Sequence, residues 1–199
     1  NDILRSLAFF FFFFFVNDLL TTPFAWYDTF IIEERFGFNK VTPKVFILDK
    51  LKGYLITGII GGGLLSLIIW IYQLTPEYFW LVAWSVVTAF SLFMSMFYSE
   101  LIVPLFNKQT PLQEGELRTE IEKFANNADF KLKNIFVIDG SKRSTKANAY
   151  FTGFGPKKRI VLYDTLMDKM TTDEIVAVLA HEIGHYKHKH TLKNIFVSF

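Results

Sequence analysis

Hydrophobic positions form long charge-free runs in the first half of this chain and short segments between polar stretches in the second half. Residues 53–74 and 78–99 contain no Asp, Glu, Lys or Arg, and each run is long enough to cross a bilayer as a helix. The turn between them, Gln73 to Glu77, is short. This part of the pattern predicts a hairpin of two membrane-spanning helices.

The stretch before this hairpin contains a third apolar segment. Residues 3–20 include the run Leu7–Val16, which predicts the latter part of a membrane helix that ends before Thr21-Thr22-Pro23. Residues 28–52 carry many charged side chains and are expected to form a polar loop. Residues 1–107 are therefore expected to be membrane-spanning helices with one polar loop.

From residue 108 onward the pattern is that of a small α+β domain. Residues 114–128 have an apolar stripe at helical spacing, and residues 134–139, 148–153 and 159–163 are short apolar segments typical of strands. This domain is expected to extend to residue 190. Residues 191–199 are apolar again and predict the start of a further membrane helix.

Composition supports a membrane protein and excludes several other classes. The 199 residues are 51% hydrophobic with a mean hydropathy of +0.28, and the net charge of +2 is too small to suggest a nucleic-acid partner. The absence of cysteine excludes disulfides and cysteine zinc sites. Because the chain begins without Met and ends inside an apolar run, we expect it to be a fragment of a longer protein.

Orientation in the membrane follows from the distribution of Lys and Arg. These residues are frequent in the 28–52 loop and after Asn107, whereas the 73–77 turn has none. The positive-inside rule therefore predicts that the loop and the α+β domain lie on the cytosolic side. The expected location is the endoplasmic reticulum membrane in a eukaryote or the cytoplasmic membrane in a bacterium.

The strongest chemical motif of the chain is His181-Glu182-Ile183-Gly184-His185. On a helix, positions 181 and 185 lie one turn apart on the same face, so two imidazoles can bind one metal ion. Glu182 would lie beside the metal, where a carboxylate can accept the proton of an attacking water. The pattern indicates a zinc peptidase, and the alternative is a solvated amphipathic helix whose histidines have no catalytic role.

The residues around the motif favour the peptidase interpretation. Thr171 to Glu174 provide helix-capping residues and first-turn acids, and an apolar helix follows. His188 is too far along the same helix to join His181 and His185 at one ion. Residues 187–190 are instead expected to form a basic turn that faces solvent or lipid headgroups.

A peptidase also needs a surface that holds its substrate extended. The predicted strand at 148–153 is the candidate, with Asn148, Ala149 and Tyr150 as substrate-binding residues that pair with the main chain of a peptide. The alternative is that this strand only supports the zinc helix.

Four separated segments resemble one protein family. They are Phe30–Lys40, Pro104–Leu117, Ser141–Ser144 with Asn148–Phe151, and His181–His185. Together they resemble the type I CaaX prenyl endopeptidases, the Ste24-like integral membrane zinc metalloproteases of the M48 family. The HtpX-type quality-control membrane proteases share the zinc helix but lack the first two segments.

This resemblance implies removal of the last three residues from prenylated CaaX proteins. The implied partners are prenylated C-terminal peptides or membrane protein substrates and the lipid bilayer, and the implied cofactor is one Zn2+ per chain. The implied architecture is a barrel of seven membrane helices around a chamber, with a zincin-like domain. In the family the third zinc ligand is a glutamate far downstream, beyond Phe199. Asp164, Asp168 and Glu174 stay open as upstream substitutes.

Two alternatives to the prenyl endopeptidase stay open at this stage. One is an HtpX-like quality-control metallopeptidase, and the other is a non-catalytic membrane scaffold with incidental histidines. Because a catalytic zinc requires three protein ligands, the fragment alone is expected to bind zinc weakly and to be inactive.

Overall fold

The structure, a computed structural model, describes residues 2–128, 130, 132, 134–152, 159–188, 193 and 197. The side chains of Asp2 and of residues 185–187 are outside this description. Contacts divide the chain into two units, residues 1–90 and 91–199. Helices predominate, and a small mixed sheet lies in the second unit.

The first unit consists of long apolar helices. They are α1 (Asp2–Tyr27), α2 (Pro43–Ile56), α3 (Gly62–Leu74) and the start of α4 (Phe79–Leu101). A π-helical segment, Asp28–Glu33, extends α1, and another, Thr57–Gly61, joins α2 to α3. Three stretches are long and apolar enough to cross a membrane, namely Ile3–Glu33, Pro43–Leu74 and Phe79–Leu105. The described residues therefore confirm a mainly helical membrane architecture.

The predicted end of the first helix at residues 21–23 is wrong, because α1 continues past Pro23. A proline cannot donate to the carbonyl one turn earlier and usually disturbs a helix. Here the hydroxyls of Thr21 and Thr22 donate to the carbonyls of Asn17 and Asp18 at 3.0 and 2.6 Å. Each hydroxyl thus bonds a carbonyl one turn earlier, as threonines inside a helix often do, whereas the carbonyl that Pro23 leaves without an N–H donor is that of Leu19.

The polar loop predicted over residues 28–52 is much shorter, since only residues 36–42 are non-helical. Gly37 adopts a left-handed φ of +70°, which favours glycine at the end of a helix. The next helix begins with Thr42, whose Oγ1 accepts the Val45 N–H at 3.3 Å, and with Pro43 in its first turn. Charge alone did not distinguish a loop from the polar beginning of a helix.

A polar cluster joins α1 to α2 within the first unit. The Lys50 Nζ atom lies 2.8 Å from both carboxylate oxygens of Asp18 and donates to Thr22 Oγ1 at 2.7 Å. The hydroxyl of Tyr54 also donates to Asp18. Within a candidate membrane span such a pair replaces the hydration that lipid cannot provide.

The second unit is built on a four-stranded sheet. Its strands are β1 (Gln109–Pro111), β2 (Asn134–Ile138), β3 (Ala149–Thr152) and β4 (Arg159–Tyr163), in the order β1-β2-β4-β3. Strands β2 and β4 are parallel, whereas β1 and β3 pair antiparallel to their neighbours. Three of these strands were predicted, and β1 was missed because it has only three residues and ends in proline.

One face of the sheet carries the hydrophobic core. Helices α5 (Glu116–Asn127) and α7 (Thr172–Lys187) lie against it, and the short helix α6 (Asp164–Met167) joins β4 to α7. The core residues from these elements are almost fully buried: Leu112, Ile121, Ile135, Ala149, Ile160, Leu162, Leu166, Ile175 and Leu179. Their burial fixes both helices against the same side of the sheet.

The end of α4 belongs to this second unit. Ser99 and Glu100 contact side chains of the sheet, and the division by contacts falls inside α4. The domain boundary predicted after residue 107 stays a prediction. The helix predicted from residue 191 lies outside the described residues, apart from Lys193 and Val197.

We expect Lys50→Met to destabilise the membrane part, because it leaves the Asp18 carboxylate without its cation. The two side chains are 25% and 24% exposed, so the loss should be about 1–3 kcal/mol, below the full cost of breaking a buried pair. Thermal unfolding in detergent measures this loss. The double variant Asp18→Asn/Lys50→Met should recover part of it, and Lys44→Met, on the exposed start of α2, is the control. An unfolding temperature of Lys50→Met equal to that of Lys44→Met would contradict the expectation.

Candidate metal centre

The helix that carries the His-Glu-x-x-His motif begins with a reciprocal cap. The carboxylate of Glu174 accepts the Thr171 N–H at 2.8 Å and the Thr171 hydroxyl at 3.0 Å, while Thr171 Oγ1 accepts the Glu174 N–H at 3.4 Å. This is a capping box, in which the first residues of a helix satisfy each other's donors. It sets the beginning of α7, at Thr172, nine residues before His181.

An apolar stripe fixes the rotation of α7 about its axis. Ile175, Leu179 and Ile183 are four residues apart and only 1–2% exposed. Positions 181 and 185 are each two residues from Ile183, so they lie about half a turn from this stripe. His181 is accordingly exposed and Glu182 is partly buried. The core therefore places the two histidine positions on the side of α7 that faces away from the sheet.

The structure describes only part of the expected ligand set. The side chain of His185 is outside the described residues, and no group of three potential metal ligands occurs among the side chains that the structure describes. His188 is exposed, as expected for a residue of the basic turn, and its N–H donates to the Gly184 carbonyl at 3.0 Å. Lys189 and His190 lie outside the described part.

Two of the three upstream carboxylates have other partners. Asp164 accepts the N–H groups of Ser141 and Thr165, each at 2.8 Å, and so caps α6. Glu174 belongs to the capping box, seven residues before His181, which corresponds to about 10 Å along a helix axis. Asp168 is exposed after the end of α6. The geometry gives none of them a place beside His181.

Strand β3 forms an edge of the sheet and contacts α7. The N–H of Tyr163 donates to the Asn148 carbonyl at 3.0 Å, so the main-chain groups of Asn148 and Tyr150 face β4 in this antiparallel ladder. The main-chain groups of Ala149 and Phe151 consequently face the outer edge. The side-chain oxygen of Asn148, which is exposed, accepts the Ala149 N–H at 2.9 Å.

The three residues predicted to bind substrate therefore differ in which of their groups a peptide at the outer edge could reach. Ala149 presents its main-chain groups at the outer edge, where a peptide could pair with the strand, whereas Asn148 presents only its side chain there. The side chain of Tyr150 lies on the face of the sheet opposite α7, since strand residues alternate and Ala149 belongs to the core on the α7 side. Sequence analysis did not single out Phe151, whose outward main chain follows from strand alternation once the register is known.

Comparison with known proteins places this arrangement in a family. Residues 1–108 match the family model of the CAAX prenyl protease N-terminal region, described as five membrane helices, and residues 111–199 match peptidase family M48. The chain belongs to the CAAX prenyl protease family. The first match covers the three candidate spans, and the second covers α7 with its His-Glu-x-x-His motif. The resemblance seen in the sequence is therefore confirmed.

Relatives in this family share up to about half of their length with the chain. It is 47% identical over 192 residues to the CAAX prenyl protease 1 homolog of Arabidopsis thaliana, covering 96% of the chain and 45% of that protein. It is 42% identical over 198 residues to CAAX prenyl protease 1 of Saccharomyces cerevisiae, covering 98% and 44%. The crystal structure of S. mikatae Ste24p matches with a TM-score of 0.92 and 42% identity over 98% of the chain and 46% of that structure.

The two histidines of α7 fit the zinc ion that the M48 family implies. Two histidines one turn apart on a helix supply nitrogen ligands, and imidazole suits zinc well. A carboxylate adjacent to the first histidine matches the base of a metallopeptidase. A catalytic zinc takes three protein ligands, so the donor set of α7 needs one more group.

The capping box predicts a pH-dependent contribution to stability. Hydrogen bonds from Thr171, first from its N–H and then from its hydroxyl, lower the pKa of Glu174. A lowered pKa means that the folded state favours the ionised carboxylate, so the stabilisation is full above the ordinary pKa of Glu and is lost as the pH falls through the lowered value.

We therefore expect Glu174→Gln to unfold at a lower temperature than the unmodified protein at neutral pH, with a difference that disappears in acid. Thermal unfolding measured by circular dichroism over a pH series tests this expectation. Glu120→Gln, which removes an exposed charge of α5, serves as the matched control. A difference that stays constant across the pH series would show that the charge of Glu174 does not contribute.

Proposed function

We propose that this chain forms the membrane part and the zinc helix of a metalloendopeptidase that removes the last three residues from prenylated CaaX proteins. The observation that carries the proposal is the His-Glu-x-x-His helix packed beside an edge strand, in a chain 47% identical to a CAAX prenyl protease 1 homolog. The match of residues 1–108 to the CAAX prenyl protease N-terminal region favours this activity over an HtpX-like quality-control peptidase.

The proposed roles at the metal follow from the positions on α7. His181 and His185 would hold one zinc ion, together with a glutamate from outside this chain. Zinc in such a site acts as a Lewis acid that activates a water and polarises the scissile carbonyl. Glu182, next to His181 and partly buried, would accept the proton of that water and later deliver it to the leaving nitrogen.

The proposed substrate site is the outer edge of β3. A bound peptide would pair its main chain with the outward N–H and C=O groups of Ala149 and Phe151. The Asn148 side chain would release the Ala149 N–H, with which it is bonded at 2.9 Å, and turn to a main-chain group of the peptide. Since one hydrogen bond replaces another, this exchange costs little free energy.

The membrane part suggests where the reaction takes place. Three candidate spans accompany the peptidase segment, which suits a substrate whose prenyl group is held in the bilayer. The Lys and Arg distribution supports an α+β domain on the cytosolic side, and the proposed location is the endoplasmic reticulum membrane if the source is a eukaryote or the cytoplasmic membrane if it is a bacterium. The proposed partners are prenylated C-terminal peptides or membrane protein substrates and the lipid bilayer, without nucleic acid.

Replacement of Glu182 tests the proposed mechanism. In a protein of the relatives' full length that carries this segment, Glu182→Gln should retain zinc and lower kcat by about 10²–10⁴-fold, because the amide cannot accept the proton. Cleavage of a prenylated peptide and zinc content are measured together, with Glu120→Gln as control. Near-normal turnover of Glu182→Gln would refute the assignment.

Single cysteines test the proposed orientation, since the chain itself has none. Lys44→Cys, Glu77→Cys and Lys142→Cys replace exposed residues outside or at the ends of the candidate spans. In a background without other reactive cysteines, a membrane-impermeant thiol reagent should label positions 44 and 142 only from the cytosolic side and position 77 only from the opposite side. Labelling of positions 44 and 142 from opposite sides would contradict the proposed topology.

A further inference from the structure

The end of α4 meets the face of the sheet that is opposite α7. Ser99, in the last turn of this helix, is only 1% exposed. Its Oγ atom lies 3.4 Å from the Tyr150 hydroxyl and accepts a hydrogen bond from the Gln109 side-chain amide at 3.3 Å. A membrane helix thus contacts β3 directly through a buried hydroxyl pair.

A second link joins the next residue of α4 to the neighbouring strand. The Arg159 guanidinium forms an ion pair with Glu100, and the two side chains are 12% and 24% exposed. The guanidinium carbon also lies 4.8 Å from the centre of the Phe136 ring, a cation–π contact. Ion pairs with little exposure and well-defined geometry are less screened than surface pairs.

The strand register shows what these links hold in place. Arg159 is opposite Thr152 at one end of the β3–β4 ladder, and Tyr150 is opposite Val161 two positions away. Paired residues of an antiparallel ladder point to the same face, so Tyr150 and Arg159 both extend towards α4. Both links therefore act on the β3–β4 ladder from the side remote from the zinc helix.

Close packing leaves the Tyr150 ring little freedom. Its ring stands edge to face against Tyr163 with 6.3 Å between centroids. Tyr163 in turn lies against Gly140, where an added Cβ would come within 2.3 Å of Cδ1 of the tyrosine ring. Burial raises the pKa of Tyr150, so its hydroxyl stays protonated and can donate or accept at neutral pH.

We propose that Ser99 and Glu100 of the third candidate membrane helix are positioning residues for substrate. They act through Tyr150 and Arg159 to set the outer edge of β3 at the height and tilt that a bound peptide requires. The inference rests on the proposed function, because it takes the edge of β3 as the peptide-binding site. Tyr150 then has a role different from that of Asn148 and Ala149, since it orients the edge without contacting the peptide.

The proposal separates two affinities that can be measured on the zinc-loaded, full-length protein. Acetohydroxamate binds only the metal centre, whereas a peptide hydroxamate binds the metal and also pairs with the strand edge. We expect Tyr150→Phe and Ser99→Ala each to weaken the peptide hydroxamate by about 3- to 10-fold, the worth of one hydrogen bond in positioning. Neither variant should change the binding of acetohydroxamate or the zinc content.

A double-variant cycle identifies the link itself. Both changes break the same hydroxyl pair, and Ser99→Ala also removes the acceptor of the Gln109 amide, so Tyr150→Phe/Ser99→Ala should weaken the peptide hydroxamate no more than Ser99→Ala alone. Glu100→Gln, which retains the shape of the side chain, should give a similar selective loss through Arg159. Ser95→Ala, at an exposed position one turn earlier on α4, is the matched control and should leave both affinities unchanged.

The outcomes distinguish this inference from the proposed function. Equal weakening of both hydroxamates by Ser99→Ala would show that the link supports the metal centre, and the inference would be overturned. The inference would also be overturned if Ser99→Ala and Glu100→Gln bind the peptide hydroxamate as tightly as the unmodified protein does. This outcome can be measured even if Tyr150→Phe fails to fold. If the unmodified zinc-loaded protein binds the two hydroxamates equally well, the strand edge binds no peptide, and both this inference and the proposed substrate site fail. A protein that holds no zinc would instead contradict the proposed function at the metal.

Discussion

The burial of one stripe of α7 against the sheet is the constraint on which the rest of the peptidase unit depends. Ile175, Leu179 and Ile183 are 1–2% exposed, so a rotation of the helix would expose apolar side chains at about 1.5–3 kcal/mol each. This cost fixes the rotation of α7 and directs positions 181 and 185 away from the sheet. The orientation of the proposed metal site is therefore set by residues that have no part in the chemistry.

The two faces of the small sheet contact different elements through different kinds of interaction. The face towards α5 and α7 is apolar and supports α7. The opposite face carries Tyr150 and Arg159, which bond to the end of α4. Apolar packing resists rotation but has little directional preference, whereas hydrogen bonds and ion pairs define distances and angles. The combination gives the edge strand a firm support on one side and a directional attachment to a membrane helix on the other.

The sequence predicted the features that depend on local periodicity and missed those that depend on tertiary contacts. The charge-free runs, the strand alternation and the cap before α7 are each encoded within one segment, and each corresponds to an element of the structure. The continuation of α1 past Pro23 was missed because a proline usually marks a helix boundary, although a helix can continue past it with the loss of one main-chain hydrogen bond. The helical part of residues 28–52 was missed because Lys50 pairs with Asp18 across 32 positions, and no local pattern reveals such a pair. The contacts of Ser99 could not be predicted for the same reason, since a lone serine in an apolar run has no distinctive signal.

An exposed strand edge that must accept peptides is also a surface at which two protein chains can pair and aggregate. In this chain the edge is short, four residues in β3, and the Asn148 side chain already occupies the Ala149 N–H at 2.9 Å. A peptide that binds only through its main chain gains little by replacing that bond, because one hydrogen bond is exchanged for another. A peptide that is also held by a metal ion and by its lipid anchor gains from those contacts in addition. If the edge of β3 binds substrate as proposed, the hydrogen bond between Asn148 and Ala149 would favour substrates that bind at several points and discriminate against chance pairing with other strands.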